Sequence, residues 1–124
     1  MSGKNVITEN GLEFLASFLN SAVAGASTWD MDHIAIGSDA TAEAASNTAL
    51  GVELARTTGV ASYTSDAIYK VTATFAAGVG TGAISEYGLF SSSTGGTMLS
   101  RDTESVINKA SGDTLVVTTE ITFG

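Results

Sequence analysis

The chain has no cysteine and no proline, a single histidine, a single tryptophan and five lysines plus arginines among 124 residues. Each shortage removes a class of function. Without cysteine there is no disulfide framework, no zinc ribbon and no thiol nucleophile. With 13 acidic residues against 5 basic ones the net charge is -8. Such a surface repels phosphate backbones, so nucleic acid is not an expected partner. No apolar run approaches the roughly 20 residues that span a bilayer, so no membrane partner is expected. Residues 1–5 carry one lysine and no long apolar stretch follows them, so no secretion signal is expected there. What remains is 44% hydrophobic and 15% charged. That is too apolar for a disordered chain and about the size of one domain.

The first periodic segment runs from Glu9 to Ala24. Leu12, Leu15, Leu19 and Val23 recur at three- and four-residue spacing, with Phe14 and Phe18 one position round. That pattern predicts one amphipathic helix, with Thr8 or Asn10 as its N-cap and Gly25 past its end. Residues 1–8 are expected to form an N-terminal arm. Beyond the helix the composition shifts to Thr, Ser, Val, Ile, Ala and Gly. Strands are predicted at His33–Ile36, Leu50–Thr58, Ala67–Ala77, Ala83–Ser91, Thr97–Arg101, Val106–Ile107 and Thr114–Phe123. In the third of these Tyr69, Val71, Ala73 and Phe75 share one face and Lys70, Thr72 and Thr74 the other. In the last, Leu115, Val117, Thr119, Ile121 and Phe123 share a face. Gly88 inside a strand marks a bulge or a close backbone approach. The tally is one helix and seven or eight short strands over residues 32–123. The expected fold is mainly β, an antiparallel sandwich in one domain.

Candidate chemistry is sparse. His33 beside Asp32 is the one imidazole, and no Gly-x-Ser-x-Gly turn presents a serine to it. Asp30, Asp32 and Asp39 are acidic loop residues. Their spacing departs from a calcium-binding EF-hand loop, because Ala35 stands where glycine is needed and Thr41 where glutamate is needed. The run Gly78-Val79-Gly80-Thr81-Gly82 has no following Gly-Lys-Ser/Thr and lies between strands, so it reads as a hairpin connector and not a phosphate loop. Trp29 is a candidate sugar-stacking platform or, more ordinarily, a core or interface filler. Glu53, Arg56, Glu86 and Arg101 stand in apolar or small surroundings. In so acidic a chain each arginine is expected to meet a carboxylate, within or between subunits. No catalytic group, cofactor or metal ligand is expected.

Several segments in order carry a resemblance: Ile34-Ala35-Ile36-Gly37, Asn47-Thr48-Ala49-Leu50, Glu53-Leu54-Ala55-Arg56, Tyr69 to Phe75, Ile84 to Phe90, Gly95 to Arg101, Lys109, and Asp113 to Phe123. Together they resemble small structural proteins of tailed bacteriophages, the capsid decoration (cement) or tail-fibre-associated proteins. The resemblance implies a jelly-roll-like sandwich with no catalytic set, and Glu53, Arg56, Glu86 and Arg101 as fold or subunit-contact residues. It implies a homotrimer on the outer surface of the virion, bound to the major capsid protein and made in the host cytoplasm. Val6, Ile7, Leu12, Phe14, Phe18 and Trp29 are the expected interface, with the arm able to pair along a neighbour's sheet edge. The alternatives are a tail-fibre or baseplate attachment protein and, in another class, a carbohydrate-binding module.

Overall fold

A computed structural model of the chain describes residues 6–9, 11, 31–63 and 68–122. The strands among these residues are eight: β1 Val6–Ile7, β2 His33–Gly37, β3 Glu53–Thr58, β4 Val60–Tyr63, β5 Ile68–Phe75, β6 Gly82–Phe90, β7 Met98–Lys109 and β8 Leu115–Thr122. They form two antiparallel sheets, one in the order β1-β7-β6-β2-β3 and one in the order β4-β5-β8. The mainly-β expectation holds. Apart from Glu9 and Gly11, the helix expected over Glu9–Ala24 lies outside the described residues.

Alternation decides which residues lie between the sheets. Val71, Ala73 and Phe75 of β5 and Val117 and Ile121 of β8 are buried. They join Ile34, Ile36, Ile84, Tyr87, Leu89 and Leu99 of the larger sheet in one apolar cluster. Both sheets therefore bury a face in the same cluster, as the layers of a sandwich do. A second, smaller cluster of Ala35, Leu50, Phe90 and Met98 contains the residues next along β2 and β6. It lies on the far face of the larger sheet, under the loop that joins β2 to β3.

Three features differ from the sequence reading. The glycine run Gly78–Gly82 joins β5 to β6, which lie in different sheets. It is a crossover between layers and not a hairpin connector. Its tight path needs glycine: Gly80 has φ +72°, and a Cβ there would meet Ile36 Cδ1 at 2.5 Å. Second, Val60–Tyr63 forms a strand too short to alternate visibly. The chain turns from the larger sheet into the smaller one at Gly59, whose N–H donates to the Asp32 carbonyl at 2.7 Å. Third, the segments around Thr97–Arg101 and Val106–Ile107 are one strand, β7, interrupted by an irregularity. Ile84 pairs with Ile107 and Glu86 with Thr103, so Glu104, Ser105 and Val106 together face the single residue Ser85. A bulge of this kind kinks the strand and hides its continuity from a period-two scan.

The described end of the arm, Val6 to Thr8, is tied down within its own chain. Val6 pairs with Arg101 and Ile7 with Ser100 at the edge of β7, where a neighbour's pairing was expected. Thr8 is fully buried and its hydroxyl donates to the Met98 carbonyl at 2.8 Å. The same oxygen accepts the Gly11 N–H at 3.0 Å, the N-cap contact its position suggested.

Candidate functional site

A dense hydrogen-bonded polar constellation lies on the outer side of the larger sheet, beneath the loop from Ser38 to Val52. Glu86, on β6, is fully buried. One carboxylate oxygen accepts the Gly51 N–H at 2.8 Å and Arg101 Nε at 3.1 Å. The other accepts the N–H groups of Asp39 at 2.9 Å and Val52 at 2.8 Å. Arg101, on the neighbouring β7, is 2% exposed. It donates to Asn47 Oδ1 at 3.2 Å and to the carbonyls of Thr41 at 3.0 Å and Asp39 at 3.4 Å. A buried charge is tolerated only when it is paired and hydrogen-bonded, and both members of this pair are. The loop supplies most of the partners, so the pair holds the loop and the loop covers the pair.

Two glycines leave room for this arrangement. A Cβ on Gly37 would come within 2.5 Å of Glu86 Oε2, and one on Gly51 would collide with the Asp39 carboxylate. Asp39 also accepts the Thr41 N–H at 2.9 Å. Hydrogen bonding from Thr41, with the Arg101 charge beside it, holds the Asp39 carboxyl below the ordinary range. Thr103 Oγ1 donates to Glu43 Oε2, and this bond does the same for Glu43.

Arg56, on β3, makes a second clamp. Its Nε and Nη2 grip Glu53 at 3.1 and 2.7 Å. Its Nη1 donates to the carbonyls of Ser92 and Gly95 in the β6–β7 turn, at 2.9 and 2.8 Å. The guanidinium lies 3.7 Å above the Phe90 ring, a cation–π contact. The four charged residues singled out in the sequence therefore pair as Glu53 with Arg56 and Glu86 with Arg101. Sequence reasoning missed Asp39, Thr41 and Asn47, which complete the second pair. Nothing in a loop of small polar residues marks those three as partners.

His33 Nδ1 lies 3.0 Å from Asp32 Oδ1, in an alignment that makes no hydrogen bond. Asp30, Leu12, Phe14, Phe18 and Trp29 lie outside the described residues, so the sugar-stacking reading of Trp29 has no geometry behind it. Among the described residues, no group of three or more His, Cys, Asp and Glu side chains is arranged to hold a metal ion.

A third constellation is unlike the other two. Tyr87 and Asp102 stand directly opposite each other across β6 and β7. Both are buried, at 3% and 5% exposure. The Tyr87 hydroxyl, Asp102 Oδ1 and Glu104 Oε1 are buried atoms without a hydrogen-bond partner. Burial, then the charges of Glu104 and Glu43, raise the Asp102 carboxyl to about 6. Burial, with Glu104 and Asp102 nearby, pushes the Tyr87 phenol up to about 12. Compared with known families, curated proteins and solved structures, the chain finds no match in any of the three.

Proposed function

We propose that this chain is a phage virion structural protein: a jelly-roll-like capsid decoration (cement) protein that binds the outer surface of the major capsid protein lattice as a homotrimer. One observation carries the docking part of this reading. The outer face of the smaller sheet carries no net charge in a chain of net charge -8. The register places Val60 opposite Thr72, Thr72 opposite Thr118, and Thr74 opposite Val116 on that face. Val60 is 76% exposed and Val116 52%. Its charged members, Lys70 and Glu120, stand opposite each other and offset in sign. A Thr/Val face of this kind meets another protein without desolvating unpaired charge. The two arginine clamps point the same way, because their polar atoms are spent on holding the fold. The order of motifs that resembles the phage proteins supplies the partner.

The test is co-sedimentation of the purified chain with expanded, DNA-free phage heads. The proposal expects saturable binding and a higher melting temperature of the heads. A charged pair in the face, Val60→Lys with Val116→Lys, is expected to weaken that binding while leaving the chain folded. Binding to tails and not to heads would replace the capsid reading with the tail-attachment one. Glycan binding that is lost in Trp29→Ala would replace both.

A further inference from the structure

We propose that Asp102 and Glu104, with the Tyr87 hydroxyl beside them, form a binding site for a hard divalent cation such as calcium or magnesium. Two carboxylates with buried oxygens lie together on β7, and neither has a hydrogen-bond donor on those oxygens. The described lysines and arginines are engaged elsewhere. Arg56 holds Glu53, Arg101 holds Glu86, Lys109 Nζ donates to the Ala76 carbonyl at 2.9 Å, and Lys70 stands opposite Glu120 in the other sheet. By strand alternation Arg101 projects from the face opposite to Asp102. A buried carboxylate pair without a counter-charge is costly, and this chain has few cations to spare.

The Tyr87 side chain is unsatisfied at the same place. It is 97% buried by its 3% exposure, its hydroxyl has no partner, and it shares a face with Asp102 across the ladder. A buried hydroxyl normally finds a partner. Here it stands across the ladder from Asp102, whose buried oxygen is likewise without a partner. The bulge in β7 adds a geometric reason. Glu104 begins the three-residue irregularity opposite Ser85, and bulges commonly re-aim a side chain next to a binding site. The donors are all oxygen, with no imidazole or thiolate, which selects hard cations over zinc or copper. Two carboxylates with water in the remaining positions are a usual set for magnesium and a sparse one for calcium.

Terbium emission tests this directly, because a tyrosine beside a bound lanthanide sensitises it. Chelator-treated protein is titrated with terbium under tyrosine excitation, then competed with calcium and magnesium. Thermal melts are recorded with and without each ion. The site predicts saturable emission displaced by calcium or magnesium, and a higher melting temperature with the competing ion. Asp102→Asn and Glu104→Gln should each weaken binding at least about tenfold. Tyr87→Phe should dim the emission yet keep the thermal shift. Glu104 is partly exposed, so its isosteric variant tests the site even where Asp102→Asn disturbs folding. Emission unchanged in both carboxylate variants would overturn the proposal. So would a wild-type melting temperature indifferent to both ions.

Discussion

At the scale of single residues, the two buried carboxylates of the larger sheet show opposite solutions to one problem. Glu86 is surrounded by three backbone N–H groups and a guanidinium. Asp102 faces a phenol and a second carboxylate. Glu86→Ala therefore strands the Arg101 charge and three amides at once. Removing one partner of a buried pair costs about 3–5 kcal/mol, and urea unfolding should show a loss of that size. Arg56→Ala removes two carbonyl contacts and the Phe90 stack, while its ionic partner Glu53 is partly exposed to water. Its expected cost is smaller, about 1–2 kcal/mol by the same measurement. A larger loss for Arg56 than for Glu86 would contradict this ranking. That the arginines would meet carboxylates was legible from the shortage of basic residues. Which carboxylates they meet was not, because the Glu86–Arg101 pairing depends on cross-strand register, and two irregularities in β6–β7 shift that register.

At the scale of elements, the strands with clean alternation were readable and the others were not. β5 and β8 have one buried and one open face, so period two shows in their residues. β6 is buried along seven consecutive positions, Ile84–Phe90, since both its faces are covered. Its inward and outward residues differ only in whether they meet the other sheet or the Ser38–Val52 loop. β7 is buried over Met98–Asp102, exposed over Ser105–Asn108 and buried again at Lys109, which divides it in a sequence scan. The layer change at Gly78–Gly82 was unreadable for a different reason, since a glycine-rich turn looks the same whether the next strand pairs beside the last or crosses above it. β1 offers an element-scale test. Thr8→Val keeps the volume but removes the hydroxyl that joins Met98 to Gly11. We expect a loss of about 1–2 kcal/mol, with faster amide exchange at the β1–β7 edge and unchanged exchange between β5 and β8. Uniformly faster exchange would show that β1 is coupled to the whole fold.

At the scale of the whole molecule, charge and chain path matter most. Asp102 binds its proton more tightly in the folded state than in the unfolded one, where its value is 3.8. Its contribution is thus fully present below about pH 4 and is lost as pH rises through about 6, amounting to at most about 3 kcal/mol. Asp39 and Glu43 act in the opposite direction, because their folded values are lowered and their contribution is lost as pH falls. The clean measurement is the difference between wild type and Asp102→Asn in chelator. Wild type should lose stability relative to the variant between pH 4 and 6, with a flat difference above that range. Millimolar calcium or magnesium should reduce the slope, since a bound cation favours the ionised carboxylates. The pairing of Val6 with Arg101 has a consequence in time. At a synthesis rate of about 5–20 residues per second, the partner of β1 is made roughly 5–20 s after β1 itself. Through that interval the first strand waits beside a polysome where other copies of β7 are also emerging. A nascent chain therefore has a window for exchanging its arm with a neighbour, which a fully made chain refolding alone at high dilution does not have.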